Sequence, residues 1–119
     1  MVFSAADIAV IIPAINEQDN IVGAVESALD AGAVEVWVAD GGSTDSTIEF
    51  ACQAGALVCC GDAGRAVQQN NAAKQATNAI LCFLHADNRL DSLALQQAAS
   101  YFSEGETNSW SCFYGFNLY

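Results

Sequence analysis

Positive charge is nearly missing from this chain. Across 119 residues only Arg65, Lys74 and Arg89 face 14 acidic side chains, for a formal charge of −11. A chain so acidic cannot hold a phosphate backbone by bulk electrostatics, which excludes non-specific nucleic-acid binding. An anionic ligand would need a metal ion or a few well-placed cations to hold it locally. No apolar run approaches the ~20 residues that span a bilayer, and Met1–Asp7 lacks the basic segment that opens a signal peptide. The expectation is therefore a cytoplasmic protein with no transmembrane segment. Cysteines at 52, 59, 60, 82 and 112 form no CxxC pair, and the single histidine, His85, has no companion. That pattern fits neither a disulfide framework nor a zinc site. It suits small buried hydrophobes in a reducing compartment. Repeats, linkers and low-complexity segments are also lacking.

What the chain does have is apolar bulk. Hydrophobic residues make up 53% of it, too many for a disordered segment, and its length suffices for one domain that buries roughly two thirds of its unfolded surface. Short apolar runs alternate with segments of helical period. Ile8–Ile12 is continuous and β-branched, as expected of a strand covered on both faces of a parallel sheet, and should stop at Pro13. Ile21, Val22, Val25, Ala28 and Leu29 recur at helical spacing, with Asn16 as candidate cap, Glu17 and Asp19 in the first turn and Gly32 as the stop. Val34–Ala39 reads as a second strand. A helix from Ser43 or Thr44 to Gly55 should carry Ile48, Ala51 and Cys52 inward. Leu57–Cys60 reads as a third strand, and a helix from Arg65 to about Thr77 shows the polar side chains Gln68, Gln69, Asn70 and Asn71 on one face. Ala79–Leu84 gives a fourth strand. A fourth helix follows Asp91 or Ser92, with Leu95, Ala98, Ala99 and Phe102 on one side. The tail from Ser109 to Tyr119 is aromatic and strand-like. This alternation predicts an α/β domain with a mostly parallel sheet and flanking helices.

In such a sheet ligands bind in the crevice beyond the carboxyl ends of the strands. The informative residues stand at those ends: Pro13-Ala14-Ile15-Asn16-Glu17, Asp40-Gly41-Gly42-Ser43-Thr44-Asp45, Gly64-Arg65 and His85-Ala86-Asp87. Gly41, Gly42 and Ser43 lead into a helix and resemble a phosphate-cradling loop. They match neither GxGxxG nor a Walker loop, and a carboxylate at Asp40 suits a base or ribose better than a phosphate. An ordinary tight turn with a Ser/Thr cap explains the same residues. Asp87 is either a turn former or a ligand for Mg²⁺ or Mn²⁺, completed by ligand phosphates. His85 is either structural or a second ligand or outer partner. Arg65, at a helix start, suits bidentate contact with phosphate, or else lies solvated on the surface.

Taken together, these stretches resemble glycosyltransferase family 2, whose nucleotide-binding half has the GT-A fold, a Rossmann-like nucleotide-diphospho-sugar-binding fold. The likeness runs from about residue 7 to 92. His85-Ala86-Asp87, with the helix at Gly64-Arg65-Ala66 before it, is similar to the subgroup described as radical-SAM/selenodomain-associated glycosyltransferases. The resemblance implies that Pro13, Asn16 and Glu17 line the nucleotide pocket, that Asp40 meets uracil or ribose, and that Arg65 meets the base or phosphates. It makes Asp87 the last carboxylate of a DxD metal motif whose first position is His85 here. It also implies a metal-assisted, inverting transfer from a nucleotide-sugar donor, most simply a UDP-sugar, to an acceptor the sequence does not name. The family's catalytic base belongs to an acceptor half that nothing here matches, Glu104 and Glu106 included, so the chain reads as a truncated donor-binding half. A non-catalytic nucleotide-binding or assembly module is the competing expectation. A nucleotidyltransferase is disfavoured, because no glycine- and lysine-rich loop follows the first strand. Trp110, Phe113, Tyr114 and Phe116 are expected to pack on the sheet or to form a homo-oligomer interface.

Overall fold

The structure, a computed structural model, describes residues 2–78, 80–104 and 112–114. Five strands form one parallel sheet: β1 (Ile8–Ala14), β2 (Glu35–Asp40), β3 (Leu57–Cys60), β4 (Ile80–Phe83) and β5 (Cys112–Tyr114), in the order β3-β2-β1-β4-β5. Between them run α1 (Ile21–Asp30), α2 (Thr47–Ala54), α3 (Arg65–Gln75) and α4 (Ala94–Glu104). The strand order reverses direction at β1, with β2 on one side and β4 on the other. The predicted α/β class is therefore the observed one.

Burial follows the pleat. Val10, Ile12, Val36, Val38, Ile80 and Cys82 point to one face, where Ala24, Val25 and Ala28 of α1, Ala51 of α2 and Leu95, Ala99 and Phe102 of α4 close a continuous core. Ile11, Ala39 and Cys59 point to the other face, covered by Ala72 of α3. Coverage on both sides explains why the strands read as unbroken apolar runs. Two cysteines depart from the buried reading. Cys59 and Cys82 are buried, but Cys52 on α2 and Cys60 at the end of β3 are exposed thiols. Burial pushes the Cys59 thiol upward, with a further push from Cys60 next to it.

The strand β1 does not stop at Pro13. It continues to Ala14, with Pro13 opposite Ala39 and Ala14 opposite Asp40. Along a strand the backbone groups of alternate residues face opposite neighbours. Ile11 accepts from Leu84 N at 2.9 Å, so it faces the β4 side, and Ala14 accepts from Gly41 N at 3.0 Å on the β2 side. Pro13 therefore also faces the β4 side, beyond Phe83, where β4 has left the sheet. No donor is needed there, and proline is tolerated. Of the tail expected to be strand-like, the described residues Cys112–Tyr114 form β5, which pairs with β4 through Leu81–Cys112 and Phe83–Tyr114. Trp110 and Phe116 lie outside the described residues, as do the side chains of Phe113 and Tyr114, and with them the expected aromatic packing.

At the amino end of the sheet Glu35 is 7% exposed. Its carboxylate accepts from Trp37 Nε1, from the backbone of Thr77 and Asn78, and from both of their side chains, at 2.9–3.1 Å. Burial alone would raise its pKa; the hydrogen bonds outweigh it and hold the group below the ordinary carboxylate range. A carboxylate depressed in the folded state adds stability above its unfolded pKa, and loses it as pH falls through the folded value. Glu35→Gln should therefore cost about 1–3 kcal/mol at neutral pH, because a donor amide meets those donors. The deficit should shrink below about pH 4, which denaturant melts at pH 7 and pH 3.5 will show.

Candidate functional site

Where β1 outlasts β4, a cleft of about 410 Å³ opens. Its position is the crevice that a parallel sheet leaves at the point where strand order reverses. One wall is Pro13, Ala14 and Ile15 from the end of β1, with Glu17 beyond. A second is Gly64, Arg65 and Gln68 at the start of α3. The third is His85, Ala86 and Asp87 just past β4. Of the expected site residues, Pro13, Glu17, Arg65, His85 and Asp87 thus meet in one cleft, although three separate segments carry them. Of the chain's three cations, only Arg65 lines it.

The remaining expected residues, Asn16, Asp40, Gly41, Gly42 and Ser43, do not line the cleft. Asp40 is 2% exposed, and both its oxygens are engaged by its own loop. Oδ2 accepts from Gly42 N and Ser43 N at 2.9 Å each, and Oδ1 from the Ser43 hydroxyl. Asn16 is not a helix cap. It stands in the left-handed region at φ 53°, which asparagine enters at lower cost than most residues. From there its Oδ1 accepts from Thr44 N at 2.8 Å and Asp45 N at 3.3 Å, while Asn16 N donates to Ser43 Oγ. Glu17 N donates to Thr47 Oγ1, and Gln18 N to Asp45 Oδ2. The loops after β1 and β2 are therefore laced into one rigid block. Asp45 also receives the Thr47 hydroxyl and amide ahead of α2, and these bonds, the hydroxyl's foremost, hold its carboxyl below the ordinary range.

Gln68 was legible only as part of a polar face. It is 4% exposed. Its Nε2 donates to Ala14 O at 3.2 Å and Ala39 O at 2.8 Å, and its Oε1 accepts from Gly64 N at 3.0 Å. One side chain thus fastens the start of α3, and Arg65 with it, to the ends of β1 and β2. Gly41 leaves the room: a Cβ there would lie 2.7 Å from the Gln68 amide. A sequence signal existed in the one-turn spacing of Gln68 and inward-facing Ala72, which puts both on the sheet side of α3.

The donor set at the third wall is one carboxylate and one imidazole, with the Glu17 carboxylate across the cleft. Among the described residues no group of three or more His, Cys, Asp or Glu side chains could hold a metal unaided. One carboxylate beside an imidazole is a donor set that could serve an ion of the Mg²⁺ or Mn²⁺ type, which takes one or two carboxylates and completes its shell with substrate phosphates and water. No helix among the described residues is long and apolar enough to cross a membrane.

The model of the family described as glycosyl transferase family 2 matches residues 9–118. No curated protein matches the chain significantly. Among solved structures, S. aureus TarS shares 24% identity over 82% of this chain and 19% of its own, with a TM-score of 0.70. Glucosyl-3-phosphoglycerate synthase of Mycobacterium tuberculosis shares 25% over 83% of this chain and 42% of its own, at 0.68. The same enzyme, in complex with Mn²⁺, UDP-glucose and phosphoglyceric acid, matches at 25% identity and 0.57, over 69% of this chain and 34% of its own. The chain therefore spans less than half the length of each.

Proposed function

The chain belongs to glycosyl transferase family 2, and from that premise we propose that its cleft binds the nucleoside diphosphate of a sugar donor, most simply a UDP-sugar, together with Mg²⁺ or Mn²⁺. The single observation that carries this reading is the meeting of Arg65, His85 and Asp87, from two distant segments, beside the free edge of β1. Asp87 is the ligand residue, with His85 as second ligand or outer partner. The cation supplies charge that offsets the diphosphate, and that a protein of charge −11 otherwise lacks. Arg65 contacts phosphate or base through its planar fork of donors, and Pro13, Ile15 and Glu17 line the nucleoside side. Asn16, Asp40 and Ser43 act through the loop block that fixes these positions.

The reaction is an inverting transfer. The acceptor hydroxyl forms a bond to the anomeric carbon while the bond from that carbon to the diphosphate oxygen breaks, and the hydroxyl proton passes to a base. No residue described here is assigned as that base, and the acceptor is left open. His85-Ala86-Asp87 and the Gly64-Arg65-Ala66 helix start support placing the chain with the radical-SAM/selenodomain-associated subgroup. A titration of UDP into the chain tests the binding step. Saturable heat with Mn²⁺, weakened about tenfold or more by chelation, supports it; no saturable heat with either metal overturns it.

A further inference from the structure

Gly23 is the third residue of α1, and glycine is a poorer helix former than alanine. Its φ is not among the positive ones, so the backbone has no need of it. What occupies the space is Arg89. A Cβ on Gly23 would sit 2.6 Å from the guanidinium carbon, so the guanidinium lies directly on the α1 backbone. From there Nη1 donates to Asn88 O at 2.8 Å and Ala86 O at 3.3 Å, the carbonyls on either side of Asp87. Asn88 N closes the turn onto His85 O at 3.0 Å. On the far side Leu90 N donates to Ser27 Oγ at 3.0 Å, whose hydroxyl donates in turn to Ala24 O. Leu84, Ala86 and Leu90 are 1%, 5% and 4% exposed, whereas Asp87 itself is exposed. The turn is anchored to α1 around Asp87, and of residues 84–90 Asp87 alone is exposed.

We propose that Arg89, seated on Gly23, is a positioning residue that presents Asp87 to the metal–diphosphate end of the cleft. This inference rests on the nucleotide reading of Asp87 given above. Charge-assisted bonds to the carbonyls of Ala86 and Asn88 fix the turn more firmly than neutral ones. The glycine is the cost of bringing the guanidinium that close, because any side chain at position 23 displaces it. Both bonds leave the one nitrogen Nη1, so a lysine at 89 keeps the charge and can still reach a carbonyl, but it lacks the flat guanidinium that rests on Gly23.

The test uses Arg89→Met, Arg89→Lys, Gly23→Ala and the double variant Gly23→Ala/Arg89→Met, read by UDP titration with Mn²⁺ and by amide exchange in the ligand-free chain. Arg89→Met should weaken UDP binding about tenfold and speed exchange at residues 86–88 while leaving β1 and β2 unchanged. Arg89→Lys should fall between it and the parent. Gly23→Ala, a change that favours the helix by propensity, should weaken binding by a similar factor with Arg89 still present. The double variant should be no weaker than Arg89→Met, as expected when two changes break one contact. Arg89→Met binding within twofold of the parent, unaltered exchange at 86–88, or additive losses in the double variant overturn the proposal alone. A parent chain that binds no UDP with Mn²⁺ overturns the nucleotide reading and this inference with it.

Discussion

An Asp87→Ala chain loses the metal-dependent share of its UDP affinity, roughly 100-fold or more, and its folding is unchanged. The size follows from the donor set. The cleft offers one carboxylate and one imidazole at this wall, so removing the carboxylate leaves the ion with His85 and the nucleotide alone. Changes one shell further out already cost 10–100-fold in metal sites. Stability should hold because Asp87 is exposed and its side chain receives none of the hydrogen bonds that fix the turn. A surface change of this kind stays within about 0.5 kcal/mol. Asp87→Asn keeps an oxygen ligand without its charge and should fall between. His85→Ala should cost about tenfold if the imidazole is an outer partner. Calorimetry with and without chelator separates these outcomes. Equal UDP affinity in Asp87→Ala and the parent chain would contradict the assignment.

Asp40 behaves in the opposite way, with a large effect on folding and a small one on the ligand. Both its oxygens are satisfied within residues 40–43, and it is buried. Alanine in its place leaves two backbone N–H groups and a hydroxyl without their acceptor, at about 1–3 kcal/mol for each group that water cannot reach. Asp40→Ala should therefore cost about 3 kcal/mol, seen as a lower denaturation midpoint. Asp40→Asn should cost much less. Its amide oxygen can face Gly42 N and Ser43 N, while its NH₂ donates to Ser43 Oγ, which also accepts. If Asp40 instead reads uracil or ribose directly, Asp40→Asn will lower UDP affinity strongly at unchanged stability. The two variants together thus separate a loop-holding carboxylate from a ligand-reading one.

The contrast between Asp87 and Asp40 also marks how far the sequence could be read. Both carboxylates stand at strand ends, and those ends were legible because Val34–Ala39 and Ala79–Leu84 are short, largely apolar runs. The class of sheet followed, and with it the end at which a ligand binds. Which strand ends adjoin is set by the order β2-β1-β4, and no local pattern encodes that order. The misread positions share this cause. Asn16 resembles a helix cap, but its partners are Thr44 and Asp45, 28 and 29 residues away. Pro13 resembles a strand stop until β4 is known to end at Phe83 beside it. Gln68 resembles a solvated face, yet its amide donates to the carbonyls of Ala14 and Ala39 at the ends of β1 and β2, which draws it inward. Local propensity placed the start of α2 at Ser43 or Thr44; the start is Thr47, because Asn16 and Asp40 take residues 43–45 into the loop. Pairing at a distance decided each of these, and it decided the cleft.

The most direct test of that cleft is paramagnetic broadening by Mn²⁺, read amide by amide in the UDP-saturated chain. Broadening should centre on His85–Asn88 and reach Gly64 and Arg65 across the cleft, while Glu35, Thr77 and Asn78 at the opposite end of the sheet stay sharp. A centre of broadening anywhere else, or the same pattern without UDP and in Asp87→Ala, contradicts a metal–nucleotide site at the junction of β1 and β4.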